Sequence, residues 1–342
     1  MKIAILAPLW KRVPPIKYGG TEVVVSLLTE ELVKRGHEVT LFACGTSKTK
    51  AKLFSIIDKS LYEMLGKFDW NYFYMDLING GKCYEMANQF DVIHNHVGFT
   101  MLPFARLVKT PTLTTLHSSK RELEKLAETY SKENFVSISD AQRNLWPELN
   151  YLDTVYHGID LSKFEFSENS GEYLFFVGTI SPEKGADKAI EVAKKTGEKL
   201  LIAGDRRPEF ENFYKEKIEP FIDDDQIKFL GEITPQMRNK IMKKAKAFIF
   251  PISWNEAFGL VLIEAMACGT PVITFNKGAI PEIVENGKTG FIVNDITEME
   301  KSVKMIDKIR RSDCRKIVQE KFTVEKMADN YLKIYEQLVS KK

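Results

Sequence analysis

The feature that most constrains this chain is a recurring order of apolar strand, glycine-containing loop and amphipathic helix. Residues 3–7 form the first strand pattern, and a glycine-rich turn at 18–21 leads into helical spacing over 22–34. The next strand pattern covers 39–43. Strand, helix and strand in this order make a βαβ unit, whose two strands run parallel. The start of the chain therefore predicts a parallel sheet with helices on both faces.

The same order continues along the chain and falls into two series. The first series has further strand patterns at 92–94, 112–116 and 134–138. The second opens with a strand at 173–177, a glycine loop at 178–185 and a helix at 187–195, and continues with strands at 200–203, 227–230, 247–250, 271–274 and 290–293. We therefore expect two Rossmann-like, doubly wound α/β domains, formed by residues 1–162 and 163–322.

Composition excludes several classes of protein. The 342 residues carry 49 Lys and Arg against 47 Asp and Glu, a net charge of +2 that is too balanced for a nucleic-acid binder held by phosphate neutralisation. No apolar run approaches the roughly 18 residues that span a bilayer. The cysteines stand far apart, without a C-x-x-C pair, at 44, 83, 268 and 314. That spacing favours a reducing cytoplasm over a disulfide scaffold or a structural zinc site.

Two glutamates, Glu256 and Glu264, flank a predicted helix start at Phe258-Gly259-Leu260, directly after a strand. A helix start offers backbone N–H groups and a positive dipole end, and Gly259 allows a ligand to approach the backbone closely. This is a site for a phosphate or diphosphate, and a carboxylate beside it can bind sugar hydroxyls. The alternative is that Glu256 caps the helix and Glu264 is solvated.

The stretch 256–264 resembles the E-x7-E motif of retaining GT-B glycosyltransferases of family 4. Segments 18–22, 178–185, 203–205, 229–231 and 281–287 resemble other family motifs and occur in the family's order, so the likeness covers nearly the whole chain. The resemblance implies a GT-B fold, in which two Rossmann-like domains face a deep cleft. It also implies that the terminal helix, residues 323–342, crosses back onto the first domain. It also implies a retaining transfer of a hexose from a nucleotide diphosphate sugar, with the acceptor on the first domain, the donor on the second, and no metal or other cofactor.

The resemblance assigns the donor contacts of the E-x7-E motif residue by residue. Glu264 would hold the ribose hydroxyls of the donor. Glu256 would contact the transferred sugar, together with the backbone of Phe258, Gly259 and Leu260. Each of these contacts uses a charged acceptor or a backbone N–H group, which suits a ligand that is rich in hydroxyls.

The same resemblance assigns the diphosphate contacts. Gly178 and Thr179 open the donor loop, in which Lys184 would neutralise the departing diphosphate, and the backbone N–H groups of Gly19 and Gly20 would reach it across the cleft. Negative charge grows on the phosphate as the glycosidic bond breaks, and preorganised cations and N–H groups lower that barrier.

One position departs from the family pattern. The family usually has Arg where this chain has Thr179, and Thr cannot supply a forked positive charge. Arg206 and Arg207, which follow the next strand, are candidates to replace it. The departure also leaves a second interpretation open, in which the chain binds sugar nucleotides without catalysing transfer.

Histidines follow two strands of the first series. His94 and His96 lie two residues apart on one strand face, and His117 follows the next strand. A three-histidine metal site lacks an acidic partner at a recognisable spacing. The resemblance places His117 beside the donor sugar, where it would orient hydroxyl groups rather than act as a base. His157 lies in a loop between the domains.

Two further patterns have ordinary structural explanations. Asp223-Asp224-Asp225 contains the D-x-D metal motif of another glycosyltransferase fold, but a solvated acidic loop explains it. The segment 53–84 suits helices packing on the first sheet, or a peripheral contact with a membrane or a lipid-linked acceptor. Its aromatic residues are Phe54, Tyr62, Phe68, Trp70, Tyr72, Phe73 and Tyr74, with Lys48, Lys50, Lys52 and Lys59 nearby.

A nucleotide-dependent dehydrogenase is a rival built on similar sheets. It needs G-x-G-x-x-G after the first strand, and Gly19-Gly20 does not supply that motif. The acceptor, whether a sugar, a lipid-linked molecule or another small molecule, has no marker in the sequence, and neither have the base and sugar of the donor.

Overall fold

The computed structural model of the protein describes residues 1–17, 19–66, 70–118 and 124–341, without the side chains of residues 70 and 71. Tyr18 of the glycine turn and Phe68 of the aromatic segment lie outside the described residues. The chain divides into two units, Met1–Ile159 with the C-terminal helix from Val324, and Asp160–Thr323. This division falls after Ile159, whereas the sequence placed it after residue 162.

The first unit is built on a parallel sheet, in the strand order β3-β2-β1-β4-β5-β6-β7. Its strands are β1 (Lys2–Leu6), β2 (Glu38–Phe42), β3 (Lys52–Phe54), β4 (Val92–Asn95), β5 (Thr112–Thr115), β6 (Asn134–Ser137) and β7 (Tyr151–Thr154). Its helices up to this point are α1 (Gly20–Lys34), α2 (Leu61–Leu65), α3 (Trp70–Glu85), α4 (Leu102–Ala105), α5 (Glu124–Tyr130) and α6 (Asp140–Arg143). The central strand β1 is apolar and fully buried from Ile3 to Leu6, as a strand covered on both faces requires.

The second unit repeats this architecture, with parallel strands in the order β10-β9-β8-β11-β12-β13. The strands are β8 (Tyr173–Val177), β9 (Lys199–Ala203), β10 (Ile227–Phe229), β11 (Ala247–Phe250), β12 (Val272–Phe275) and β13 (Gly290–Val293). The helices are α7 (Ala186–Thr196), α8 (Glu211–Lys217), α9 (Pro235–Lys244), α10 (Leu260–Ala267), α11 (Ile280–Ile283), α12 (Ile296–Met305) and α13 (Arg311–Lys321). Because β8 and β11 are neighbours, the loops that follow them meet at one edge of the sheet.

The C-terminal helix α14 (Val324–Ser340) returns to the first unit, where it packs against α1 and β4. Arg35 at the end of α1 forms an ion pair with Asp329. Tyr331 and Tyr335 on the inner face of α14 are fully buried. The buried residues of α14 therefore mark the face that covers the first sheet.

Three local predictions were incomplete. The strands β3 and β7 were not predicted, because both lie at sheet edges and are only partly buried, so neither shows a continuous apolar run. Gly20 and Thr21 belong to α1 rather than to the preceding turn, and Gly19 is the N-cap residue. The side chain of a residue other than glycine at position 19 would have its Cβ 2.7 Å from the Glu22 carboxylate.

The aromatic segment packs on the first sheet through part of its length. Cys83 and Tyr84 of α3 are buried with Phe42 in the core, whereas Tyr74 is 60% exposed. Contact with a membrane stays a prediction. Among the described residues, no helix combines the length and the apolar character that crossing a bilayer requires.

Asp76 of α3 fixes the segment that follows β1. Its Oδ1 accepts a hydrogen bond from the backbone N–H of Leu9 at 2.9 Å, and Tyr72 also bonds to the carboxylate. The residue is buried, and burial raises the pKa of Asp76 to about 7, with the nearby Glu22 raising it further and the two hydrogen bonds opposing the shift. The folded protein therefore holds a proton on Asp76 that the unfolded chain releases.

We expect Asp76→Asn to flatten the dependence of stability on pH between about 4 and 7. A folded pKa above the unfolded one contributes stability that is present below the unfolded value, about 4, and is lost as the pH rises through about 7. Relative to that of Asp76→Asn, the melting temperature of the wild type should fall between about pH 4.5 and pH 7.5 and level off above that range. Asp58→Asn, at an exposed position of the same unit, serves as the control. Parallel melting curves for wild type and Asp76→Asn would contradict the assignment.

Candidate functional site

The loops after β8 and β11 meet in the second unit and bring together two predicted site residues. The backbone N–H of Ser253 donates to the carbonyl of Glu183 at 2.8 Å, which ties the loops together. Lys184 Nζ lies 2.9 Å from Glu256 Oε2, and the two side chains are 14% and 15% exposed. A partly buried pair of this kind is screened less by solvent than a surface pair. The structure thus provides a cation and a carboxylate in contact at one edge of the sheet.

Aromatic rings hold the Lys184 ammonium group in place. It lies 4.7 Å from the centre of the Trp254 ring and 5.3 Å from that of Phe250, both within the range of cation–π attraction. Trp254 Nε1 also donates to Glu256 Oε2 at 3.4 Å. Trp254 was not among the predicted site residues, although its position two residues before Glu256 was a signal that it could lie at the site. These contacts preorganise the pair before any ligand arrives.

Gly278 supports the backbone of Glu256. The N–H of Ala279 donates to the Glu256 carbonyl at 2.9 Å, and a Cβ at position 278 would lie 2.2 Å from that same carbonyl oxygen. Gly278 also has a positive φ of 57°, which favours glycine. The turn that follows β12 therefore needs glycine to approach the site, a requirement that sequence reasoning missed.

The helix start of the predicted motif is present. Gly259 is the N-cap of α10 with a φ of 96°, and no side chain caps the helix from that position. Glu256 is thus not a helix cap, and Glu264 lies in the second turn of α10. Phe258 is buried against Phe322, so its contribution to a polar ligand would come from its backbone.

Glu264 is a buried residue rather than a solvated one. Only 5% of it is exposed, and its Oε1 accepts a hydrogen bond from Arg238 Nη2 at 2.6 Å. Burial raises the pKa of Glu264, while the charge and hydrogen bond of Arg238 oppose that shift. The alternative interpretation of the two glutamates, as cap and solvated side chain, is therefore wrong. Sequence reasoning missed Arg238, which comes from α9.

Thr179 is buried, and the two arginines considered as substitutes for its missing charge both pair with acidic residues. The N–H of Ile180 donates to the carbonyl of Asp205 at 3.0 Å, so the loops after β8 and β9 are adjacent. Arg206 bonds to Glu211 at 2.6 Å, and Arg207 bonds to Asp205 at 3.3 Å. Both guanidinium groups thus form ion pairs with acidic residues in or next to their own loop.

Asp223 has a local structural role. Its Oδ1 accepts hydrogen bonds from the backbone N–H groups of Asp225, Gln226 and Ile227, which closes the turn before β10. Within the part of the chain that the structure describes, no group of His, Cys, Asp and Glu side chains is arranged to hold a metal ion.

The first unit gathers four histidines at the carboxyl edge of its sheet. The ring centres are 3.9 Å apart for His94 and His96, 5.2 Å for His96 and His117, and 5.4 Å for His117 and His157. His96 Nδ1 lies 2.9 Å from His117 Nε2. The sequence placed His94, His96 and His117 after strands and His157 in a loop between the domains, but only the fold shows that His157 stacks on His117.

The cluster is neutral near neutral pH. Burial lowers the pKa of His94 to about 3 and that of His117 to about 4, and it lowers the pKa of His96 and His157 well below the ordinary value. His94 joins the sheet to the C-terminal helix, since its ring nitrogens lie 2.6 Å from Tyr335 Oη and 2.8 Å from Thr115 Oγ1. A neutral His117 can orient hydroxyl groups but does not bring a positive charge.

We expect His94→Gln to lose less stability than the wild type on acidification. A histidine with a depressed folded pKa contributes stability that is present above the unfolded value, about 6.5, and is lost as the pH falls toward about 3. His94→Gln should melt below the wild type at about pH 8, with a gap that narrows toward about pH 5. His37→Gln, at a less buried position, is the control. A gap that widens on acidification would contradict this account.

Two family models together match most of the chain. Residues 18–163 match the model described as Glycosyltransferase Family 4, and residues 159–323 match Glycosyl transferases group 1. A curated relative, an uncharacterized glycosyltransferase of Methanocaldococcus jannaschii, is 27% identical, with 92% of this chain and 94% of the relative covered.

Solved structures share the fold. Sucrose-phosphate synthase of Thermosynechococcus elongatus superposes with a TM-score of 0.84 at 18% identity, over 100% of both chains. The Anabaena protein HepE, solved in complex with UDP and glucose, gives a TM-score of 0.75 at 18% identity, over 98% of this chain and 100% of that one. At these identities the likeness concerns the fold.

Proposed function

This chain belongs to the GT-B glycosyltransferases of family 4, and we propose that it transfers a hexose from a nucleotide diphosphate sugar with retention of configuration and without a metal ion. The observation that carries the proposal is the Lys184–Glu256 pair, held beside the start of α10 at the carboxyl edge of the second sheet. A cation and backbone N–H groups match the diphosphate of such a donor, and a carboxylate matches its sugar hydroxyls. The complex of HepE with UDP and glucose supports this choice of donor class.

In the proposed reaction, the bond from the sugar to the diphosphate breaks and negative charge grows on the leaving phosphate. Lys184 stabilises that charge, aided by the positive end of α10 and the N–H groups near Gly259 and Leu260. Glu256 accepts hydrogen bonds from hydroxyls of the transferred sugar. Because Glu256 already holds Lys184 in place, the ammonium group needs little reorganisation when the charge develops.

Glu264 binds the ribose of the donor in this proposal. Its burial and its charged partner suit a carboxylate that accepts hydrogen bonds from two neighbouring hydroxyls. The acceptor is a sugar, a lipid-linked molecule or another small molecule that binds to the first unit. The donor contacts of Gly19, Gly20, Gly178, Thr179 and His117 stay predictions.

A catalytically idle binder of sugar nucleotides is the second candidate. It is favoured by the uncharged Thr179 and by the engagement of Lys184 with Glu256, which together leave less positive charge for a leaving group. An active enzyme releases free nucleoside diphosphate when an acceptor is present, whereas an idle binder does not.

We expect Lys184→Ala to lower turnover far more than donor affinity. An interaction that strengthens in the transition state affects kcat, and loss of one preorganised charge-stabilising group costs about 10²–10³ in rate. The assay measures kcat and donor Kd side by side. Lys188→Ala, which removes a lysine from α7 near Phe275, is the matched control. Near-normal turnover of Lys184→Ala would remove the leaving-group role and favour the idle binder.

Activity should withstand chelation of divalent metals. In the proposal, Lys184 and backbone N–H groups neutralise the diphosphate, so EDTA has no catalytic ion to remove. Turnover measured before and after EDTA treatment and dialysis should agree. A loss that Mn²⁺ or Mg²⁺ restores would show that a metal takes part.

A further inference from the structure

The contact between Arg238 and Glu264 links a residue outside the predicted motif to the proposed ribose site. Arg238 lies in α9, and its Nη2 is 2.6 Å from Glu264 Oε1. The two side chains are 19% and 7% exposed. Among the hydrogen bonds of the described residues, the other carboxylate oxygen of Glu264 accepts none. One oxygen is thus held by the protein, and the second remains for a ligand.

We propose that Arg238 is a positioning residue that fixes the Glu264 carboxylate through Oε1 and so directs Oε2 to the vicinal ribose hydroxyls of the donor nucleotide. This inference rests on the proposed function, because it takes the ribose to bind at Glu264. It adds that the ribose contact depends on α9 as well as on the E-x7-E motif. Arg238 acts through Glu264 and need not touch the nucleotide itself.

A gain in folding stability does not by itself explain the contact between Arg238 and Glu264. Arg238 Nε is buried with no hydrogen-bond partner among the residues that the structure describes, and a buried donor that has lost water and gained no acceptor is destabilising. A buried ion pair also contributes little net stability, since desolvation of both charges offsets their attraction. The pair does supply an oriented, charged acceptor in a site where water is scarce, which is what recognition of a diol needs.

Arg238 affects the pKa of Glu264, and this effect can be measured. Burial raises the pKa of Glu264, and Arg238 counteracts this rise through its charge and its hydrogen bond. The neighbouring ionisable groups are Cys268, the C-cap residue of α10, whose thiol pKa is raised by burial and by Glu264, and Arg311 and Arg315 from α13, which act on Cys268 in the opposite sense.

Those two arginines are occupied by backbone carbonyls. Arg311 bonds to the carbonyl oxygens of Ser167, Lys243 and Ala245, and Arg315 bonds to those of Phe164 and Ala267. Without Arg238, Glu264 would therefore take up a proton more readily, and a protonated carboxyl is a weaker acceptor for two hydroxyls. This weakening of the hydroxyl contact is greatest at low pH and becomes smaller as the pH rises.

The experiment measures the affinity of UDP, GDP and ADP, and of their 2′-deoxy counterparts, by calorimetry at about pH 6, 7 and 8.5. The variants are Arg238→Met, which keeps a similar apolar length without the charge, and Arg238→Lys, which keeps the charge without the fork. Lys240→Met changes an exposed residue of the same helix and is the matched control. Melting temperatures report on the fold of each variant.

We expect Arg238→Met to weaken binding of the preferred ribonucleotide by about tenfold at pH 6, the scale of one charged hydrogen bond, with a smaller loss at pH 8.5. The loss should shrink for the 2′-deoxy nucleotide, because part of the ribose contact is then absent in the wild type as well. Arg238→Lys should lie between Arg238→Met and the wild type, and Lys240→Met should match the wild type.

Wild-type affinity in Arg238→Met at every pH would overturn the proposal, and so would a loss that is equal for ribo and deoxy nucleotides and independent of pH. Glu264→Gln separates this failure from that of the proposed function. If Glu264→Gln weakens ribonucleotide binding but Arg238→Met does not, Arg238 has no positioning role and the ribose contact stands. If Glu264→Gln has no effect, the ribose contact itself fails. Should Arg238→Met not fold, Arg238→Lys carries the same comparison.

Discussion

The ion pair between Lys184 and Glu256 depends on the parallel pairing of β8 with β11. The two residues are 72 positions apart in the sequence, yet their Nζ and Oε2 atoms are 2.9 Å apart. Parallel strands end at the same edge of a sheet, so adjacent strands deliver their following loops to one place. The close approach of Gly278 and the rings of Phe250 and Trp254 then fix the pair. A change in strand order would separate these groups, whatever the helix or strand propensity of the segments that carry them.

The two glutamates of one motif occupy different environments. Glu256 lies in a loop with a lysine and an indole N–H, and it stays partly open to solvent. Glu264 lies in a helix, is almost fully buried and bonds to Arg238. A partly exposed carboxylate can exchange partners with a sugar, whereas a buried one with a fixed partner offers a single direction. The difference in burial therefore divides the work between the two side chains in the proposed function.

The first unit presents a contrasting chemistry. Its four clustered histidines are kept neutral by burial, and His94 connects the sheet to Tyr335 of the C-terminal helix. The segment that follows β1 is held by Asp76, another group whose protonation state is set by burial. In the proposed function, Lys184 of the second unit supplies the positive charge for the diphosphate, while the histidine cluster of the first unit offers neutral hydrogen-bonding groups.

Much of the fold was predictable because a parallel sheet covered on both faces requires long apolar strands. The predicted strands of both units are present, with ends that shift by a residue or two, as for β1 and β12. The missed strands β3 and β7 are short edges, where half-exposed residues leave no such pattern. The motif that contains Glu256 and Glu264 was equally visible, because strand, loop and helix start are local features.

The sequence by itself therefore determined the two-unit α/β architecture and identified Glu256, Glu264 and Lys184 as candidate site residues. Only the tertiary structure decided which charges meet. It paired Lys184 with Glu256, brought Arg238 from α9 to Glu264, and directed Arg206 and Arg207 to acidic residues in or beside their own loop. The physical reason is that local sequence sets strand and helix, whereas the partner of a side chain depends on which distant segments the packing of the sheet brings within a few ångströms.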